Sequence, residues 1–101
     1  MWLALSNSFI SVVADRENPD KLLVRSRFPD DITRLFPNAK LFSKPNYDYK
    51  YRSLIDRKEV AKVISNQLLN IDYDNFKDSV LDPIRHNAYL DIWQTMFSIQ
   101  R

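Results

Sequence analysis

Between Leu22 and Phe28 the chain alternates. Leu22, Val24, Ser26 and Phe28 fall on one side, and Leu23, Arg25 and Arg27 on the other. This is the period-2 pattern of a strand with two unlike faces. The same alternation runs through residues 46–56, where Tyr47, Tyr49 and Tyr51 interleave with Asp48, Lys50 and Arg52. Residues 2–5 and 9–14, rich in aromatic and β-branched side chains, read as a strand pair or one bent strand. A polar turn centred on Asn18-Pro19-Asp20 leads into the Leu22–Phe28 strand. Residues 39–44 read as a further strand, paired through a Pro45-Asn46 turn with the tyrosine-bearing one.

Helical signals fall between and after these strands. Pro29 and Pro37 bound a short helix whose first turn holds Asp30 and Asp31, acids that favour a helix start. Asp56 and Glu59 have capping-box spacing, and behind them Val60, Val63, Ile64 and Leu68 lie on one helical stripe. Residues 70–80 form a connection with room for a helical turn. Asp82-Pro83 then supplies a cap followed by proline at the first helical position. Tyr89, Ile92, Trp93, Met96 and Phe97 make a second apolar stripe, and Trp93 in it and Trp2 at the other end are expected in the core. The order β-β-β-α-β-β-α-α predicts an α+β fold: an antiparallel sheet of four to five strands with helices packed on one face.

The length, 101 residues, suits a single domain spanning 1–101 with one modest core. Apolar content of 45% and charged content of 28% belong to a folded globular protein rather than a disordered one. There is no cysteine, which removes disulfides, thiolate metal ligands and cysteine nucleophiles and makes a cytoplasmic protein the simpler reading. There is no glycine either, so phosphate-cradling loops of the Walker or dinucleotide type are absent. The apolar N-terminal stretch lacks a basic leader region, is broken by Ser6-Asn7-Ser8, and is too short to span a bilayer. It reads as folded structure, and no membrane association is expected.

Candidate chemistry centres on the strand face opposite the helices. In the expected arrangement the tyrosines and Val24 point toward the helices, and Arg25, Arg27, Lys50 and Arg52 point out. Four cations on one face suit phosphate groups or an acidic protein surface. A solvated face that keeps the sheet soluble is the plainer alternative. The reverse register, with tyrosines outward among cations, would make a base-stacking platform. His86, the single histidine, is a general-base candidate beside Arg85 if Asp82 or Asp91 orients it, but no nucleophile accompanies it. Asp72, Asp74 and Asp78 do not follow a calcium-loop pattern. No catalytic residue, metal site or cofactor is therefore assigned.

Ala14-Asp15-Arg16, Leu23-Val24-Arg25, Asp48-Tyr49-Lys50-Tyr51-Arg52, Asn75-Phe76-Lys77 and Arg85-His86 with Ala88-Tyr89 carry a resemblance over most of the chain. The chain resembles a family of small bacterial proteins common in mobile elements, including prophages and plasmids, for which no activity is established. Small size and a mobile-element context of this kind suggest a factor that binds a host or rival macromolecule, anti-CRISPR proteins being one example. The expectation is thus a non-enzymatic interaction protein that takes a protein or nucleoprotein partner through Arg25, Arg27, Lys50 and Arg52. Direct nucleic-acid binding is the alternative, and a small enzyme using His86 a second one. A homodimer is also open, through the strand edge at residues 2–14 or the helix face around Phe97 and Ile99.

Overall fold

A computed structural model describes all 101 residues. It contains a five-stranded antiparallel sheet built from β1 (Trp2–Ala4), β2 (Phe9–Ala14), β3 (Lys21–Ser26), β4 (Phe42–Ser43) and β5 (Tyr51–Asp56). The strands lie in the order β1-β2-β3-β5-β4. Helix α1 (Pro29–Thr33) joins β3 to β4, α2 (Arg57–Leu69) follows β5 directly, and α3 (Pro83–Ser98) comes last. A single 3-10 turn at Lys77–Ser79 interrupts the connection between α2 and α3. This is the α+β class and element order that the hydrophobic pattern predicts. No helix is long and apolar enough to cross a membrane.

The period-2 pattern sorts the sheet into two faces. In register, Val12 stands opposite Val24 and Leu22 opposite Ile55. Val12, Val24 and Ile55 join Ile10 of β2, Ile32, Leu35 and Phe36 from α1 and the segment after it, and Val60 from α2, to form the buried core, and Leu22 packs against it. Leu3, Tyr51, Val63 and Ile64 pack around its edge. Burying a side chain of this size contributes about 1.5–3 kcal/mol each relative to exposure, so this face supplies most of the apolar stabilisation.

Local chemistry accounts for most element boundaries. Pro29 sits at the first helical position of α1, with Asp30 and Asp31 in its first turn. The Asp82 carboxylate accepts the Arg85 backbone N–H at 2.9 Å and caps α3, as its spacing predicts. Asp56 does not behave as predicted. It caps nothing; instead its carboxylate accepts a hydrogen bond from the Lys21 ammonium at 2.8 Å. That hydrogen bond, together with the Asp56 charge, raises the Lys21 pKa above its ordinary value. Because β5 runs into α2 without a break, Asp56 is still a strand residue, and its side chain points across the sheet to its register partner Lys21. No peptide bond is cis, and no residue has a positive φ.

Two expectations fail on the C-terminal side and around the tyrosines. Trp2 and Trp93 are not core: their exposures are 74% and 48%. Of the second apolar stripe only Tyr89 is buried, and Ile92, Trp93, Met96 and Phe97 all face solvent. The cause is where α3 docks. It does not lie along the sheet beside α2 but is anchored by its first half to the β1–β2 turn. The tyrosines, for their part, do not form one inward row. β5 begins only at Tyr51, so Tyr47 and Tyr49 lie in the preceding loop. Tyr51 packs against the core, Tyr47 is exposed, and Tyr49 is buried on the opposite, arginine-bearing side.

Candidate interaction surface

The sheet face turned away from α1 and α2 is crossed by one register row: Trp2, Ser11, Arg25, Arg52 and Phe42, one residue from each of the five strands. A second, aliphatic row of Val13, Leu23 and Leu54 runs beside it. No helix covers these rows. Their side chains reach this face because each is offset by one residue from a core residue, for example Arg25 from Val24 and Arg52 from Ser53.

Arg25 and Arg52 are direct cross-strand neighbours, an arrangement that is unfavourable for like charges left unscreened. The loop between β4 and β5 relieves it. Lys44 and Lys50 close that loop through a backbone hydrogen bond of 2.8 Å, which folds the Tyr47–Tyr49 segment back over the arginines. The Arg25 and Arg27 guanidinium groups lie 4.7 and 4.3 Å from the centroid of the Tyr49 ring. Arg52 lies 5.0 Å from that of Tyr47. Each desolvated stack of this kind contributes about 2 kcal/mol, less where exposed. Arg52 also donates to the Tyr49 carbonyl at 3.1 Å and approaches Asp48 at 3.8 Å, while Arg25 donates to the Ser11 hydroxyl at 2.7 Å.

The four predicted cations are therefore unlike one another. Arg27 is exposed and holds no hydrogen-bond partner, so its donors are free. Arg25 is half-buried, with its Nε shielded from solvent and lacking an acceptor. Arg52 is buried and largely satisfied within the fold, which corrects the expectation that it points into solvent. Lys50 is exposed, but its ammonium lies over Tyr51, and it joins none of the arginine stacks. The pattern of residues had not pointed to Phe42 as part of this surface, had placed Trp2 in the core, and had set Tyr49 among the cations only in the reverse register. Trp2 was readable as a strand residue alternating with Leu3, but its pairing with Ser11 depends on the turn length between the first two strands.

Arg85 and His86 lie elsewhere. The Arg85 guanidinium donates to the buried Asp31 carboxylate at 2.8 Å and to the Tyr89 hydroxyl at 3.4 Å. Asp31 also accepts from the Phe9 backbone N–H at 3.2 Å and from Arg34 at 3.2 Å. The Tyr89 hydroxyl, 3.0 and 3.1 Å from the Leu5 and Ser8 carbonyls, donates to the β1–β2 turn. Burial works against the charge on Arg85, but hydrogen bonds to Tyr89 and Asp31 and the Asp31 charge outweigh it and leave the pKa raised. Burial raises the Tyr89 pKa, and Arg85 only partly offsets this. These residues form a clamp that ties α3 to α1 and the first hairpin. His86 stands next to the clamp, makes no side-chain hydrogen bond, and does not line the large groove beside α3. Neither Asp82 nor Asp91 orients it; the Asp82 carboxylate is occupied by the Arg85 backbone.

No family model, no curated protein and no solved structure matches this chain.

Proposed function

We propose that the protein is a non-enzymatic interaction protein that engages an acidic patch on a protein or nucleoprotein partner through its uncovered sheet face. The observation that carries this reading is the Trp2–Ser11–Arg25–Arg52–Phe42 row with the free donors of Arg27 beside it. Tryptophan, tyrosine and arginine dominate the binding energy of protein interfaces, and the stacks hold these arginines with little side-chain entropy left to lose. Trp2 and Phe42 flank the cations with exposed apolar surface, so charge and hydrophobic anchor lie on one face. Arg25 and Arg27 are the primary contacts in this reading. Arg52 and Lys50 act at the margin, the first by holding the Tyr47–Tyr49 loop and the second as a peripheral charge.

Direct nucleic-acid binding fits this face less well. Tyr49 is 4% exposed beneath two guanidinium groups and offers no free ring face on which a base could stack. Catalysis by His86 lacks an orienting carboxylate. The lack of cysteine supports a cytoplasmic setting. A prophage or plasmid context, with an anti-CRISPR-type role as one form of it, rests on the sequence resemblance alone.

The test compares capture from bacterial extract by the wild-type chain and by a Trp2→Ala/Arg27→Ser variant, quantified by mass spectrometry. Both side chains are exposed, so the variant is expected to fold, with the thermal midpoint lowered by at most about 4–8 °C for the lost Arg27–Tyr49 stack. Any partner taken by the wild type is expected to drop at least about tenfold. Equal recovery of every captured protein by the variant would remove this face from consideration. An electrophoretic shift with single- or double-stranded DNA or RNA at low salt would favour nucleic acid instead.

A further inference from the structure

The C-terminal third of the molecule bears a second uncovered surface of a different kind. Along α3, Ile84, Ala88, Ile92 and Met96 recur every four residues, so they form a single row on one side of the helix. All four are exposed. Ile84, Ala88 and Ile92 line one wall of an open groove of about 1210 Å³. Ile64, Leu68 and Ile71, at the end of α2 and just beyond it, line the groove as well. Met96 continues the row past the groove's end.

Nothing in the chain fills this space. Ten apolar side chains from Leu68 to Ile99 are between 48% and 88% exposed. Of these, Leu68, Ile71, Leu81, Ile84 and Ile92 line the groove, and with Met96 they present on the order of 800 Å², above the few hundred Å² usual for an apolar patch on a monomer. A stable interface needs roughly 800 Å² from each partner. The row is also nearly free of charge. Arg85 and Asp91 are the only formally charged residues in α3, and Arg85 is already paired with Asp31. The charges on the rest of the groove are mostly engaged within the chain, Asp30 and Asp31 with Arg34 and Arg85, and Asp82 with the Arg85 backbone. The α3 wall itself therefore suits an uncharged apolar helix.

The molecule itself supplies such a helix. We infer that α3 packs antiparallel against α3 of a second copy across a two-fold axis near Leu90, closing the groove. That axis sets Ile84 opposite the partner's Met96 and Ala88 opposite the partner's Ile92. The row is then its own complement, with the small side chain at Ala88 receiving the larger Ile92. Each copy's Met96 end would close the groove of the other. The C-terminal half of α3, exposed in the single chain, would be partly covered by the second copy. The α3 row shares no residue with the arginine row, but Arg27 beside that row also lines the groove. The α3 substitutions below leave Arg27 in place and so test this inference apart from the proposed function.

The test is the mass in solution across a concentration series, by light scattering and sedimentation. Wild type is expected at twice the chain mass with a dissociation constant on the order of 1 μM or tighter. Met96→Asp and Ala88→Arg change exposed positions. Each is expected to weaken association at least about tenfold while the circular dichroism spectrum stays native. The chain has no cysteine, so an Ile84→Cys/Met96→Cys variant reads the geometry directly. The two positions lie roughly 18 Å apart along one helix, too far for a disulfide within a chain. Mild oxidation is expected to link two copies in this double variant and in neither single variant. A single-chain mass up to about 1 mM would overturn the inference. So would a dimer indifferent to Met96→Asp and Ala88→Arg, or efficient linkage through either single cysteine.

Discussion

The sheet with its first two helices and the segment carrying α3 are held by different forces. In the first region, eight buried apolar side chains from β2, β3, β5, α1 with the segment after it, and α2 form one continuous core. In the second, only Val80 and Tyr89 are buried, and the attachment is a small mixed cluster: Arg85 on Asp31, the Tyr89 hydroxyl on two turn carbonyls, the Tyr89 ring against Phe9 and Phe76, and Ser79 on Ser6. Apolar burial is non-directional and tolerates small shifts, whereas a buried charge pair holds only in one geometry. The same chain thus couples a broad apolar platform to an arm held through one small cluster around Tyr89 and Arg85. The arm should respond to changes that the platform does not register.

Three substitutions separate the two regions, the largest effect first. Phe36→Ala empties the centre of the core and is expected to cost about 3–5 kcal/mol, lowering the denaturation midpoint of the whole sheet. Sheet amides that kept wild-type exchange protection in this variant would contradict a single core. Arg85→Ala cuts the clamp and is expected to cost about 2 kcal/mol, because Asp31 retains Arg34 and the Phe9 N–H. Its signature is local: faster hydrogen exchange and altered Trp93 fluorescence in α3, with β2, β3 and β5 unchanged. Uniform loss of protection would mean that the arm and the platform unfold together.

Tyr89→Phe removes one hydroxyl shared by two carbonyls and is expected to cost about 1 kcal/mol at neutral pH. The folded-state pKa of this hydroxyl is raised, so its stabilisation is complete below the unfolded value of about 10 and is lost as pH climbs through the higher folded value. The gap between wild type and Tyr89→Phe should therefore narrow in alkaline solution. Chemical denaturation at neutral pH and above pH ~10 measures it. A gap that widened with pH would show that the hydroxyl is not what secures α3.

How far each region was legible follows from the range of the interactions involved. Leu22–Ser26 alternates because a strand imposes that period, and Asp82-Pro83 caps α3 through atoms three residues apart; both are local and both read correctly. The tyrosine alternation misled because it runs on through residues 47–50, where loop closure between Lys44 and Lys50 overrides the strand pattern. Asp56 had capping-box spacing, but its side-chain direction was set by a strand partner thirty-five positions away. The α3 stripe marked which side of the helix is apolar and left open what covers it. Arg25 and Arg52 were assigned to a shared face, but their burial depends on a loop whose fold no short-range signal fixes. The Asp31–Arg85 pair, separated by fifty-four positions, had no periodic trace at all.

Every turn in this protein is made without a left-handed residue. No site is thereby reserved for glycine on steric grounds, and the polypeptide contains none. Such a chain samples fewer backbone states before it folds, so it surrenders less disorder on becoming compact. A domain with only seventeen buried residues gains from that stiffness. Its bends are free to drift in sequence wherever their side chains have no other duty.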